Sequence, residues 1–528
     1  MNQKGSFVHG AMVLLISGII VKILGALFKI PLTNLIGDSG MGLFAFAMQF
    51  FSLLFVVAAA GLPIAESHLV SESLALGNRK HAQSIVVHAS IVFGGIGLLL
   101  AVLLAGFAPT ICRLFGESMD AAWCLVAIAP AVFFVTIEAA LRGWYQGTGN
   151  MMPTAISQVA EAIGKLVIGL WLANTLLQCG YGITGAAVGA VIGITCGECC
   201  SVCYLMWSAR RGIRSALFYR EKSPSALPQL VQLMIPVSLG AAVMTVSGFL
   251  DMAVIYRRLP VAGFTSEEII AAYGAYTGMA ITLFNLPQAL SNAVSVSVLP
   301  AISAAHAQQN TTKVRRLMLS SLRLTLLVCL PCGAGLFVFA NPLLHALFYS
   351  QPRGIITAIP LLQLLAIAEP LVGMSAVTTS ILQSFGRPDL TVYSMTIACT
   401  MKFVVSFSLA GMAKYNICAS PIGTLVCYTV MLVCNLLFII RVVGWMPPLG
   451  KAIVRPLIAS CGMAVLSHWI YTEIEWYFGL YPAVFGAICI AVPIYFILLA
   501  VFHGLEAEDL LPLPGGKQLA KMLRLTSS

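Results

Sequence analysis

Fourteen apolar stretches, each long enough to cross a hydrocarbon layer, follow one another along this chain with short polar connections between them. A helical crossing takes about 20 apolar residues. In lipid every backbone amide must be satisfied inside the protein, which leaves helices or closed barrels. The stretches fall near 8–33, 41–65, 83–107, 121–143, 154–177, 183–207, 229–255, 270–300, 316–340, 356–382, 390–412, 421–440, 452–471 and 480–502. None alternates with the period of two that barrel strands require. The expected fold is an all-α polytopic membrane protein with fourteen transmembrane helices. Charged residues make up 9% of the chain, against roughly 25% in soluble domains. The first stretch follows Lys4 as a leader would, but it runs on past Lys22 and Lys29 with no small-residue cleavage site. It therefore reads as a first span.

Positive charge gives the orientation. With the N-terminus inside, twenty Lys and Arg fall in inner loops and ends, among them Arg79, Lys80, Arg142, Arg210, Arg211, Arg316 and Lys517. Five fall outside: Arg113, Arg257, Arg258, Arg353 and Lys414. Such a bias places both termini in the cytoplasm. It also explains the formal charge of +10 as a topology signal at an anionic membrane surface, not as a nucleic-acid footprint.

The basic segment 209–227 reads as a cytoplasmic linker, with prolines and serines after Lys222. It divides an N-lobe of six spans (1–208) from a C-lobe of six (228–444). Two further spans (445–503) and a short cytoplasmic tail (504–528) follow. A shift of 237 positions superimposes Leu62-Pro63 on Leu299-Pro300, Arg79 on Arg316, Gln146 and Gly149 on Gln383 and Gly386, and Lys165 on Lys402. The two lobes thus read as a parallel repeat, a common plan among transporters.

Four lysines lie within spans: Lys22, Lys29, Lys165 and Lys402. A charge at that depth costs at least ~2.5–3.5 kcal/mol on insertion scales and tends to face a polar space or a partner. Lys22 and Lys29, seven apart, share one helix face. They read as a cationic stripe lining an anion-attracting cavity; the other reading has Lys29 snorkelling to the surface and Lys22 paired with a carboxylate. Lys165 has Glu161 four residues earlier, the favourable order for an intrahelical pair. Lys402 has Ala398 there instead, which makes it the better candidate for an open cation. The acids within spans, Asp251, Glu369, Glu138 and Glu198, are candidates for binding a coupling proton or sodium ion. For Glu138, Arg142 one turn on also offers a surface ion pair. Prolines at 63, 130, 236, 287, 300, 331 and 370 interrupt or end spans and suggest kinks.

Cys196, Cys199, Cys200 and Cys203 form overlapping CxxC patterns. On one helix they make a single stripe, which cannot wrap a tetrahedral metal, so they read as packing residues. There is no phosphate-cradling Gly-x-x-x-x-Gly-Lys-Ser/Thr, no His-Glu-x-x-His and no Gly-x-Ser-x-Gly. The expectation is no enzyme, no cofactor and no metal, with work drawn from ion gradients, membrane potential or the substrate gradient.

The run Arg142-Gly143-Trp144-Tyr145-Gln146-Gly147 followed by Met152-Pro153-Thr154-Ala155-Ile156-Ser157-Gln158-Val159 resembles the polysaccharide-exporter branch of the multidrug/oligosaccharidyl-lipid/polysaccharide (MOP) flippase superfamily. The resemblance extends to Val21-Lys22-Ile23-Leu24-Gly25, Ile30-Pro31-Leu32, Leu69-Val70-Ser71-Glu72, Tyr276-Thr277-Gly278-Met279-Ala280 and Gly386-Arg387-Pro388. It is greatest with the stage V sporulation protein B group, related to the MurJ lipid II flippases. The resemblance implies two six-helix lobes around a central cavity, with the two last helices forming a groove for a lipid tail. It further implies flipping of an undecaprenyl-pyrophosphate-linked cell-wall precursor to the outer leaflet of a bacterial plasma membrane. Lys22 and Lys29 then match the branch's basic residues on the first helix. In the second span only Gln49 is strongly polar where the branch has a basic residue, and the span from Tyr273 to Pro300 carries no charge. Expected partners are the anionic lipid-linked sugar, membrane lipids and the cell-wall synthesis machinery, with no nucleic acid. Rival readings are a cation-coupled drug or metabolite exporter of the same superfamily and a membrane-embedded transferase acting on lipid-linked sugar.

Overall fold

The computed structural model describes residues 3–217, 227–445 and 449–502. Residues 218–226 of the linker 209–227, and the whole tail 504–528, lie outside the described residues. Every long element is helical. The helices are α1 (Gln3–Ala58), α2 (Leu62–Ala75), α3 (Arg79–Phe115), α4 (Met119–Gly147), α5 (Met152–Gln178), α6 (Gly182–Leu217), α7 (Leu227–Arg258) and α8 (Ser266–Gly274). A π-helical turn, Ala275–Ala280, leads to α9 (Ile281–Ala307), α10 (Thr311–Val338), α11 (Ala340–Leu347), α12 (Pro352–Ser384) and α13 (Pro388–Ala410). The last three are α14 (Ala419–Val443), α15 (Leu449–Phe478) and α16 (Leu480–Val501).

Local chemistry sets the ends. Asn78 caps α3 by accepting the His81 amide at 3.1 Å, and Asn310 caps α10 by accepting that of Lys313 at 2.9 Å. Thr265 and Glu268 form a reciprocal capping box on α8. These contacts satisfy amides that a helix start otherwise leaves orphaned.

Among the described residues, thirteen helical segments are long and apolar enough to cross a membrane. The difference from the expected fourteen lies wholly in the first segment, Ile16–Ala75, whose 60 residues take in the stretch 8–33 from residue 16 onward and all of 41–65. Helical bonding continues on either side of Gly37, the one residue inside α1 with non-helical angles (φ 73, ψ −177). That combination is essentially restricted to glycine, so the break is written into the residue type. Large apolar side chains such as Ile91, Val102, Trp171 and Val465 are exposed, as a lipid-facing exterior requires.

The chain divides into two compact units, Met1–Gly278 with Ala410–Ile417, and Met279–Leu409 with Cys418–Ser528. Grouping by contact thus takes α7 and α8 with α1–α6, whereas the topological division expected from the sequence runs through 209–227. In the first unit α2, α3, α4, α6 and α7 share a core built on Leu62, Val70, Ile85, Trp144, Leu205 and Leu230. Helices α5 and α6 touch backbone to backbone: a Cβ at Gly193 would lie 2.1 Å from Gly169 Cα, and one at Gly197 would lie 2.7 Å from the Glu161 carbonyl oxygen. Small residues at such a seam are how membrane helices approach closely without a hydrophobic driving force. In the second unit α9, α10, α12 and α14 enclose Ile302, Met318, Leu322, Val377, Ile381 and Ile439. Tyr495 of α16 ties the last helices to α10 by donating to the Leu327 carbonyl at 2.9 Å.

Candidate functional site

The first unit carries three of the four lysines. Lys22 and Lys29 lie on α1 before the Gly37 break and Lys165 lies on α5, all half-buried. The Ser17 hydroxyl of α1 donates to Gln158 of α5 at 3.0 Å. Lys29 and Lys165 come close enough for their charges to repel. Lys165 also has its same-helix carboxylate, but loosely, with Nζ 4.0 Å from Glu161 Oε1.

The tighter claim on Glu161 comes from another helix. Arg142 of α4 reaches across with Nη2 3.1 Å from Glu161 Oε2 and 2.5 Å from Glu138 Oε1. Its Nε donates to the Ser157 hydroxyl at 3.1 Å. Ser201 of α6 donates to Glu138. Glu198 completes the group: Glu138, Glu161 and Glu198 each bring a carboxylate oxygen within 4.8 Å of the others. The Glu138–Arg142 pair expected at the surface therefore forms, but in the interior, where Glu138 is only 1% exposed. The physical reason is enclosure of α4 by its neighbours, whose faces bury Val135, Ala139 and Ala140 beside it.

Gln49, expected on the substrate path, is engaged within the first unit. Its amide hydrogen-bonds with the Tyr273 phenol of α8 and lies against Gly248 of α7. Asp251, one turn beyond Gly248, is buried near the same phenol. Phe46, Phe50, Phe115, Phe249 and Tyr256 form a chain of edge-on rings here. Glu117, in the connection between α3 and α4, accepts the Ser118 amide at 3.2 Å. Burial raises its carboxyl above the ordinary carboxylate value, a rise that the nearby Tyr256 phenol and Ser118 amide only partly offset.

In the second unit Glu369 (α12, fully buried) and Lys402 (α13, half-buried) both act electrostatically on the Tyr428 phenol of α14. Lys402, read as an open cation, thus sits in a mixed environment. The polar centre of this unit is Asn435, fully buried on α14. It accepts from Ser394 at 2.6 Å and donates to Thr378 and Thr379 at 3.1 Å each.

Two features escaped the sequence. One is the role of Arg142 as the hub joining α4 to α5; its motif was conspicuous, but a partner nineteen residues away on another helix leaves no spacing signal. The other is Glu66, fully buried on α2 with neither carboxyl oxygen hydrogen-bonded among the described residues. It packs against Gly143, where an added Cβ would lie 3.1 Å from Glu66 Oε2. The stretch 41–65 ends one residue before it. All fifteen cysteines are free thiols, including the stripe on α6.

A bundle of apolar crossing helices with ionisable groups held in its interior has the build of a multi-pass membrane transporter. Residues 7–306 match the family described as "Polysaccharide biosynthesis protein", and residues 236–408 match MatE. The chain belongs to the polysaccharide biosynthesis protein family, within the MOP superfamily of transporters, which are not enzymes. It is similar to stage V sporulation protein B of Bacillus subtilis (strain 168), 28% identical over 522 residues and covering 97% of this chain and 98% of that one. Lipid II flippase MurJ of the same organism is 20% identical over 504 residues, covering 91% and 90%. Among solved structures the fold matches lipid II flippase MurJ in an inward closed conformation with a TM-score of 0.69 at 18% identity, covering 93% of this chain and 99% of that one.

Proposed function

We propose that the chain is a flippase for an undecaprenyl-pyrophosphate-linked sugar, lipid II or a related cell-wall precursor, which it moves from the inner to the outer leaflet by alternating access. On this reading the chain makes fourteen crossings, Gly37 separating the first two, with both termini cytoplasmic and two six-helix lobes followed by two C-terminal helices. The observation that carries it is the gathering of half-buried lysines in the first unit. Lys29 and Lys165, on adjacent helices, repel each other, and only one of them has Glu161 in loose contact. Groups of like charge held together in a bundle are stabilised by an anion, and a pyrophosphate supplies two or more negative charges. Lysine binds it as a point charge, without the planar fork of arginine. The similarity to MurJ and stage V sporulation protein B supports a lipid-linked sugar as the cargo.

Outward movement of an anion gains ~2.3 kcal/mol per charge per 100 mV of inside-negative potential. The deciding experiment is rescue of lipid II translocation in cells depleted of their own flippase. Wild-type chain is expected to rescue and Lys22→Ala and Lys29→Ala to fail while still reaching the membrane. Rescue by both variants at wild-type level would remove the reading.

A second reading is a cation-coupled exporter of drugs or metabolites. The MatE match over 236–408 and the buried acids Asp251 and Glu369 favour it. Under it, neutralising those acids abolishes export while Lys22→Ala does not.

A further inference from the structure

The 237-residue repeat relates the acid cluster of the first unit to the polar centre of the second. Glu138, Arg142, Ser157 and Glu198 correspond to Ser375, Thr379, Ser394 and Asn435. In the second unit Asn435 bonds to both Thr379 and Ser394. In the first unit Arg142 bonds to Ser157 and pairs with Glu138. The same node of three helices is therefore closed once with neutral groups and once with ionisable ones. Packing alone does not ask for the charges, because the neutral version is a satisfied alternative in the same chain. Burying ionisable groups where a neutral set serves costs stability, so the charges call for another purpose.

The ionised node is also incomplete. Three carboxyls face two cations, Arg142 and the more distant Lys165. Glu138 is 1% exposed and Glu198 4%. The carboxyls of these two residues lie within hydrogen-bonding reach of each other, yet Glu138 Oε2 and Glu198 Oε2 find no donor among the described residues. Ionised carboxylates only accept. A bond between two of them exists only when a proton sits on one.

We propose that Glu138 and Glu198 form a site for one exchangeable proton, which the Glu198 carboxyl donates to the Glu138 carboxylate, while Arg142 and Ser201 hold Glu138 in place. Loss of that proton to water leaves both groups ionised side by side. The pair then repels, and the guanidinium that it shares with Glu161 is redistributed. The surrounding charges are Arg142 on the same helix, Glu161 and Lys165 on α5, and Lys29 on α1, which faces Lys165. Glu66 of α2 backs onto Gly143, five residues from Glu138 and so on a different face of α4. A metal cation is disfavoured by the guanidinium already among the oxygens. Use of the site to couple transport rests on the function proposed above; proton binding itself does not.

The test is infrared difference spectroscopy of the purified full-length chain in lipid, stepped in pH at constant sodium. Wild type is expected to lose a protonated-carboxyl absorption on alkalinisation, and Glu198→Gln to lack that change. The set Glu138→Ser, Arg142→Thr and Glu198→Asn, which copies the neutral node of the second unit, should fold and also lack it. Persistence of the change in both variants, with its disappearance in Glu66→Gln, would overturn the assignment in favour of Glu66. Removal of the band by sodium at fixed pH would overturn it in favour of a metal-cation site. A positive infrared result with no transport of lipid-linked sugar would leave the proton site standing and sink the flippase reading.

Discussion

Arg142 holds more of the local structure together than any of the lysines that stand out in the sequence. It pairs with two carboxylates and a hydroxyl on two helices, so its removal leaves interior charge uncompensated. Breaking one partner of such a buried set typically costs 3–5 kcal/mol. Arg142→Ala is expected to lower stability by about 3–5 kcal/mol in denaturant titration, and adding Glu138→Gln should restore part of the loss. Asn435→Leu removes the side-chain partner that Ser394, Thr378 and Thr379 share and is expected to cost about 1–3 kcal/mol, read by the same titration. Glu117 gives a pH signature. Its folded value is raised by burial, so the folded state binds the extra proton and stability falls as pH rises from the ordinary carboxylate value toward the raised one. Glu117→Gln should flatten that decline relative to wild type, and parallel melting curves for the two across this window would refute the claim. Residues of this kind are legible only where one helix carries both partners. Glu161 and Lys165 could be paired from spacing alone, whereas Glu161 and Arg142 could not, because helix packing brings them together.

At the scale of elements the glycines decide. Gly37 interrupts α1 with angles closed to other residues, and Gly37→Ala is expected to cost about 1–3 kcal/mol or to straighten the helix, which circular dichroism and spin-label distances across the break would detect. The seam of α5 and α6 at Gly193 has no room for a methyl group. Gly193→Ala should force the helices apart, costing about 1–3 kcal/mol, and should loosen the approach of Glu198 to Glu138 as well. The spans themselves were readable from apolar run length, since lipid imposes it. The merging of the first two into one 60-residue segment was not, because apolar pattern cannot distinguish a helix that turns at a glycine from two helices joined by a loop.

For the molecule as a whole, the family was visible before any coordinate, but the chemical difference between positions paired by the 237-residue shift was not. The shift by 237 paired Lys165 with Lys402 and so suggested likeness. The side-chain contacts show where the copies part, at the node of Glu138 and Asn435. Dissipating the membrane potential in vesicles, with pH and ion gradients held, is expected to slow flipping of lipid-linked sugar if anion movement is the driven step. An unchanged rate would remove the membrane potential as the driving force.

A chain that arose by doubling a six-helix ancestor would have begun with two identical nodes, and this one has kept the ionised form in only one of them. Under the proton-site proposal that node takes up one proton, and its titration should follow a Hill slope of one. Installing the acidic set in the second copy would be the way to build a two-proton machine from the same scaffold.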